Sequence, residues 1–223
     1  LTIGGSGSVT RSSGYVFGSL RKSAPAGSPS VSFEIGDASA YAPVTAAFTG
    51  VTGAGTLTAQ TTAGDHPALG TSMIDGAKSA NRYWTLANGG TTFGSADVTF
   101  NFNAADLDGG ANTANFLVGN YNGSSWSAPA VGLLTGTSTQ ATGLTSFGDF
   151  AMGETASFSI TSSAGANGAI SPDGVTNLTF GGNQSYTITA NTGYHVADVL
   201  VDGISVGAVT NYDFTNVAAN HTI

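Results

Sequence analysis

Cysteine is absent from the 223-residue chain. Its absence excludes disulfides, thiolate catalysis and Cys-ligated zinc. Basic residues are almost as scarce. There are five (Arg11, Arg21, Lys22, Lys78 and Arg82), and residues 83–223 carry nine acids with no Lys or Arg among them. A phosphate backbone needs cationic partners to release its counterions. The net charge of -8 and its placement therefore exclude nucleic-acid binding and electrostatic docking to an anionic lipid surface. Charged residues make up only 8% of the chain, against about 25% in an ordinary globular protein. No apolar run approaches the roughly 18 residues that a membrane-spanning helix needs. There is no initiator Met and no signal peptide, so the expectation is a mature product or a fragment.

What is present points to β-structure. Gly, Ser and Thr number 33, 25 and 30, and 12 Phe and 7 Tyr stand among them. That aromatic content separates the chain from a disordered polar tail. The dominant hydrophobic period is two. Val31, Phe33 and Ile35 alternate with Ser32 and Glu34, and Val98, Phe100 and Phe102 with Thr99 and Asn101. Phe158 and Ile160, then Tyr186 and Ile188, repeat the pattern. Such alternation puts one face of a strand on a core and the other in water, as in antiparallel sheets. Turn signals recur between the runs: Asn88-Gly89-Gly90, Asp108-Gly109-Gly110, Asn122-Gly123, Gly181-Gly182-Asn183 and Asp202-Gly203. The best helical stretch, Leu69–Ala80, is broken by Gly70 and Gly76 and reads as a loop with one helical turn. The expected fold class is all-β: an antiparallel β-sandwich followed by a small β-rich module. The expected divisions are a strand and flexible connector over 1–13, a sandwich over 14–152 and a second module over 153–223.

The second module carries an ordered set of segments. Ala164-Gly165-Ala166-Asn167-Gly168-Ala169-Ile170-Ser171-Pro172 opens it. Gln184-Ser185-Tyr186-Thr187-Ile188-Thr189 and Asn191-Thr192-Gly193-Tyr194-His195-Val196 follow. Val199-Leu200-Val201-Asp202-Gly203, Phe214-Thr215-Asn216-Val217 and Asn220-His221-Thr222-Ile223 close it. This set resembles the divergent internalin B-type repeat of large bacterial surface and secreted proteins. The resemblance implies a small grasp-like module used as a spacer or adhesive unit. The first module, with Ser13-Gly14-Tyr15-Val16, Lys78-Ser79-Ala80-Asn81-Arg82-Tyr83-Trp84 and Thr145-Ser146-Phe147-Gly148-Asp149-Phe150, looks like the β-sandwich that accompanies such repeats.

Few residues offer chemistry. Gly203-Ile204-Ser205-Val206-Gly207 matches G-x-S-x-G formally. It follows a hairpin signal and precedes a strand, whereas a nucleophile elbow needs a helix there. His66, His195 and His221 lie far apart in sequence, and no acid stands at a telling distance from them. Asp106, Asp108 and Asn112 around a Gly turn form the best calcium candidate, since hard oxygen donors suit that ion. Gly110 and Leu117 occupy the places where a 12-residue calcium loop would supply further ligands. Trp126, after the hairpin tip Tyr121–Ser125, is the candidate aromatic platform for a glycan.

Leu1-Thr2-Ile3 and His221-Thr222-Ile223 read as strand fragments without neighbours. An orphan strand edge is sticky, so these six residues are the candidates for self-assembly by strand addition. The sequence thus suggests a non-enzymatic extracellular or cell-surface module that polymerises with copies of itself. The alternative is a carbohydrate-binding or adhesin module of a larger secreted protein.

Overall fold

A computed structural model describes residues 1–3 and 12–223. The chain falls into two units, Leu1–Glu154 and Thr155–Ile223. Unit 1 holds β1 (Thr2–Ile3), β2 (Val16–Phe17), β3 (Leu20–Ala24), β4 (Ser30–Phe33), β5 (Ile35–Gly36), β6 (Val44–Thr49), β7 (Gly55–Ala63), β8 (Ile74–Ser79), β9 (Arg82–Gly89), β10 (Ser95–Asn101), β11 (Leu117–Tyr121), β12 (Trp126–Ser127), β13 (Ala130–Thr135), β14 (Ser138–Leu144) and β15 (Asp149–Thr155). Only three short 3-10 turns interrupt these strands among the described residues, one of them at Leu69–Thr71, in the segment expected to hold a single helical turn.

The strands of unit 1 form two main sheets. One runs β1-β3-β7-β9-β15-β11-β12, with β8 also on β15; the other runs β13-β14-β10-β6-β4. Their inward residues meet in one core. Leu57, Trp84, Val118 and Phe150 come from the first sheet, and Phe33, Val44, Val98 and Phe100 from the second. This is the alternation of the sequence made physical, because every second side chain of β10 faces inward. Phe100 bridges the sheets, with its ring centroid 5.4 Å from Trp84 and 4.9 Å from Phe150. Each such aromatic pair adds about 0.5–1.5 kcal/mol beyond the area it buries. Trp84 also satisfies its indole N–H on the Ala42 carbonyl at 3.1 Å.

The division at Glu154/Thr155 falls within two residues of the expected one at 152/153, and Gly153 beside it has a steric role. A Cβ there would sit 2.7 Å from Ile74 Cγ2 and 2.8 Å from Ser79 Cα. The glycine lets β8 close onto β15, and β15 continues to Thr155.

Unit 2 holds β16 (Ser157–Ser162), β17 (Gly168–Ser171), β18 (Gly174–Thr179), β19 (Gly182–Ala190), β20 (Val199–Val201), β21 (Ile204–Gly207), β22 (Asn211–Val217) and β23 (His221–Thr222). The expected grasp-like module consists of strands alone. They form sheets β18-β16-β23 and β17-β19-β22 and the hairpin β20-β21. Its core is small: Ile160, Ile170, Tyr186, Phe214 and Val217, with Phe158, Ile188 and Ile223 packed against them.

Candidate functional site

The two terminal tripeptides are both seated in sheets of their own chain, contrary to the expectation of unpaired ends. Leu1–Ile3 lies parallel to β3, with Thr2 opposite Arg21 and Ile3 opposite Lys22. The terminal ammonium donates to the Ser19 carbonyl at 3.0 Å, and the Arg21 N–H to the Leu1 carbonyl at 2.8 Å. Ile3 packs against the unit 1 core, while Leu1 stays exposed. The expected connector Gly4–Ser8 lies outside the described residues.

At the other end β23 runs parallel to β16, with His221 opposite Ile160 and Thr222 opposite Thr161. The Ile223 N–H donates to the Thr161 carbonyl and the Ser163 N–H to the Ile223 carbonyl, both at 3.0 Å. The Asn220 side chain accepts from the Ser159 N–H at 2.8 Å. The opposite edge of β23 is taken by the turn at Asp202. The Asp202 N–H donates to the Thr222 carbonyl at 3.1 Å. Its carboxylate accepts from the Thr222 N–H at 2.8 Å and meets His221 Nδ1 at 2.7 Å. These bonds, that from His221 first, hold the Asp202 carboxyl below the usual carboxylate range. The His221 ring lies 5.0 Å from that of Phe214. His221, Thr222 and Ile223 are therefore not a free strand.

The expected calcium set does not converge on a common point. Asp106 turns to Arg82, accepting from Nε at 3.2 Å and Nη2 at 3.0 Å. Asp108 accepts from the Ser79 N–H at 2.8 Å and Asn81 Nδ2 at 2.7 Å. Asn112 caps a 3-10 turn through the Ala114 N–H. Among the described residues no group of three His, Asp or Glu side chains gathers to hold a metal. In place of a metal site stands an ion cluster around Arg82, which is fully buried. Its guanidinium also donates to Asp37, to Thr61 Oγ1 at 3.2 Å and to Ser39 Oγ at 2.9 Å. Burial pushes the Asp37 carboxyl up, but bonds from Arg82 and Ser39 outweigh it and bring it down to about 2. Burial likewise opposes the Arg82 charge, and Asp106 and Asp37 more than restore it. Sequence reading missed this cluster because its members come from four separate segments, around residues 37–39, 61, 82 and 106.

Trp126 is half-buried rather than presented to solvent. Its indole N–H donates to the Ala68 carbonyl at 3.0 Å. Gly119 makes the room: a Cβ there would lie 2.8 Å from the indole ring. The ring packs 5.0 Å from His66, which also lies 5.0 Å from Tyr83 and from Tyr121. His66 Nδ1 accepts from the Ala68 N–H, which leaves Nε2 to donate to Asp149 at 3.2 Å. Asp149 accepts in turn from Thr85 Oγ1 at 2.6 Å. A nucleophile triad places the imidazole between hydroxyl and carboxylate; here the carboxylate stands in the middle. Its role is to staple the loop after β7 onto the outer face of the sheet.

Ser205 sits on β21, and its hydroxyl donates to Asp198 at 2.7 Å. No imidazole shares that bond, so the G-x-S-x-G match is a hairpin detail. Unit 2 also holds a half-open cleft of about 420 Å³ lined by Ile170, Ile188, His195, Asp198, Leu200 and Ile223 among others. No helix among the described residues is long and apolar enough to cross a membrane. A scan of protein-family models matches none to this chain, and searches of curated proteins and of solved structures give no match either.

Proposed function

We propose that this chain is a non-enzymatic structural segment of an extracellular bacterial surface protein, joined to further copies by donation of its first strand. The observation that carries this reading is the seat of Leu1–Ile3. Three residues add a parallel strand to the edge of an otherwise complete sheet, and Ile3 reaches the core. Exchange of such an element between identical chains creates no new contact type and costs little. Because the donated strand and its acceptor edge are different surfaces, repeated exchange propagates as an open chain of subunits. The internalin B-type resemblance and the Lys- and Arg-free stretch after residue 82 support the extracellular assignment.

Two sequence expectations change. His221, Thr222 and Ile223 are held along both edges and are not donors in this reading. Trp126, the aromatic of the glycan-binding alternative, is half-buried, with its ring packed against His66 and Tyr121 rather than standing free at a hairpin tip. Sedimentation velocity and negative-stain microscopy across protein concentration test the reading. The full chain forms elongated oligomers, and neither deletion of residues 1–3 nor Ile3→Asp does so while unit 1 remains folded. Oligomers that persist in both variants, or a full chain that stays monomeric at every concentration, refute it.

A further inference from the structure

The paths by which tension enters the two units differ, and the difference lies in strand direction. In unit 2 the first strand, β16, and the last, β23, are neighbours and parallel. A pull on the chain at either side of this unit drags β16 toward its own N-terminal end and β23 toward its C-terminal end. Parallel neighbours pulled this way slide along each other. Every bond between them is then loaded at once: Ser159 to Asn220, Ile223 to Thr161, Ser163 to Ile223 and the rungs between. Sliding must also break the Asp202 bonds to His221 and Thr222 on the other edge. It further draws Ile223 from its place against the core.

Unit 1 is loaded differently. β1 is parallel to β3, and β3, β7, β9 and β15 alternate in direction. The start of β1 and the end of β15 therefore lie at the same end of the sheet. Tension acts across the strands, and the bonds of β1 to β3 open one after another.

We infer that unit 2 is a tension-bearing clamp, built from β16, β23 and the Asp202 turn, and that β1 of unit 1 is the element that yields first under load. This deepens the structural reading above, on which it rests for the source of the load. Under that reading, modest tension frees a donor strand and its acceptor edge while the second unit holds.

Single-molecule stretching of the full chain, gripped at its two ends, tests this. The absence of native cysteine lets terminal cysteine handles react alone. Rupture of the clamp frees the segment between β16 and β23, about 60 residues, for an extension of roughly 20 nm. That event comes last and at the highest force, after the opening of unit 1. Asp202→Asn removes the carboxylate partner of His221 Nδ1, and Asn220→Ala removes the acceptor of the Ser159 N–H. Each shortens the lifetime of unit 2 at fixed force about five- to tenfold, tenfold being ~1.4 kcal/mol, and leaves the unit 1 events unchanged. A unit 2 that parts before unit 1, or whose lifetime neither variant alters, overturns the clamp. The outcome separates from that of strand donation: a chain that never oligomerises yet shows the strong last event refutes donation only. One that oligomerises but yields first at unit 2 refutes the clamp only.

Discussion

Asp37→Asn tests the ion cluster most directly. The Asp37 carboxyl is lowered to about 2 in the folded chain, from an ordinary value of 3.8. A group whose pKa is depressed by folding stabilises the fold fully above the unfolded value and loses that contribution as pH falls through the folded one. That lowering corresponds to about 2 kcal/mol. It is present above pH ~4 and gone near pH 2. The Asn variant should therefore be about 2 kcal/mol less stable than the parent at pH 7 and equal to it near pH 2. For a unit of this size the loss at pH 7 lowers Tm by about 4–8 °C. The readout is clean, because both tryptophans, Trp84 and Trp126, belong to unit 1. Indole fluorescence during urea or thermal unfolding follows that unit alone. A difference between parent and variant that stays constant from pH 7 to pH 2, or no difference at pH 7, refutes the proposed role of Arg82 as counter-charge. Loss of the other partner is more severe. Asp106→Ala leaves a fully buried guanidinium with a single carboxylate, and breaking such a pair costs about 3–5 kcal/mol.

Three further substitutions probe the packing. Tyr186 is fully buried in unit 2, and its hydroxyl meets no partner among the described residues; Tyr186→Phe should raise the unfolding free energy of unit 2 by about 1 kcal/mol, read by chemical denaturation with far-ultraviolet dichroism. Gly153→Ala drives a methyl group to within 2.9 Å of the Lys78 carbonyl oxygen, and should lower unit 1 stability by about 1–3 kcal/mol in the same fluorescence assay. Trp126→Ala should cost unit 1 about 2–3 kcal/mol, less than the truncation of a fully buried indole, and should loosen the loop around His66; unchanged melting would mean that the ring is not part of the fold's support.

The strands were legible because alternation is a local property. Val98, Phe100 and Phe102 are all buried, and the residues between them are not. Trp84, Leu86 and Arg82 share an inward face for the same reason. Partner choice is not local. Nothing near Ile223 announces that it pairs with Thr161, and nothing near Leu1 names Arg21. Both pairings are parallel, so no hairpin turn advertises them. The acidic run Asp106–Asp108 shows how a local pattern misleads. Its spacing suits a cation, and the cation present is a guanidinium 24 residues earlier in the chain. The His66–Asp149 pair spans 83 residues and left no trace in the sequence at all.

The closing strand of unit 2 is also the last of that unit to be made. Until Asn220 to Ile223 have left the ribosome, β16 has no neighbour on one side and the Asp202 turn has nothing to grip. At about 5–20 residues per second that interval lasts roughly 3–12 s. Throughout it, β16 and the Asp202 turn lack their shared partner. The unit locks only once its final residues have emerged.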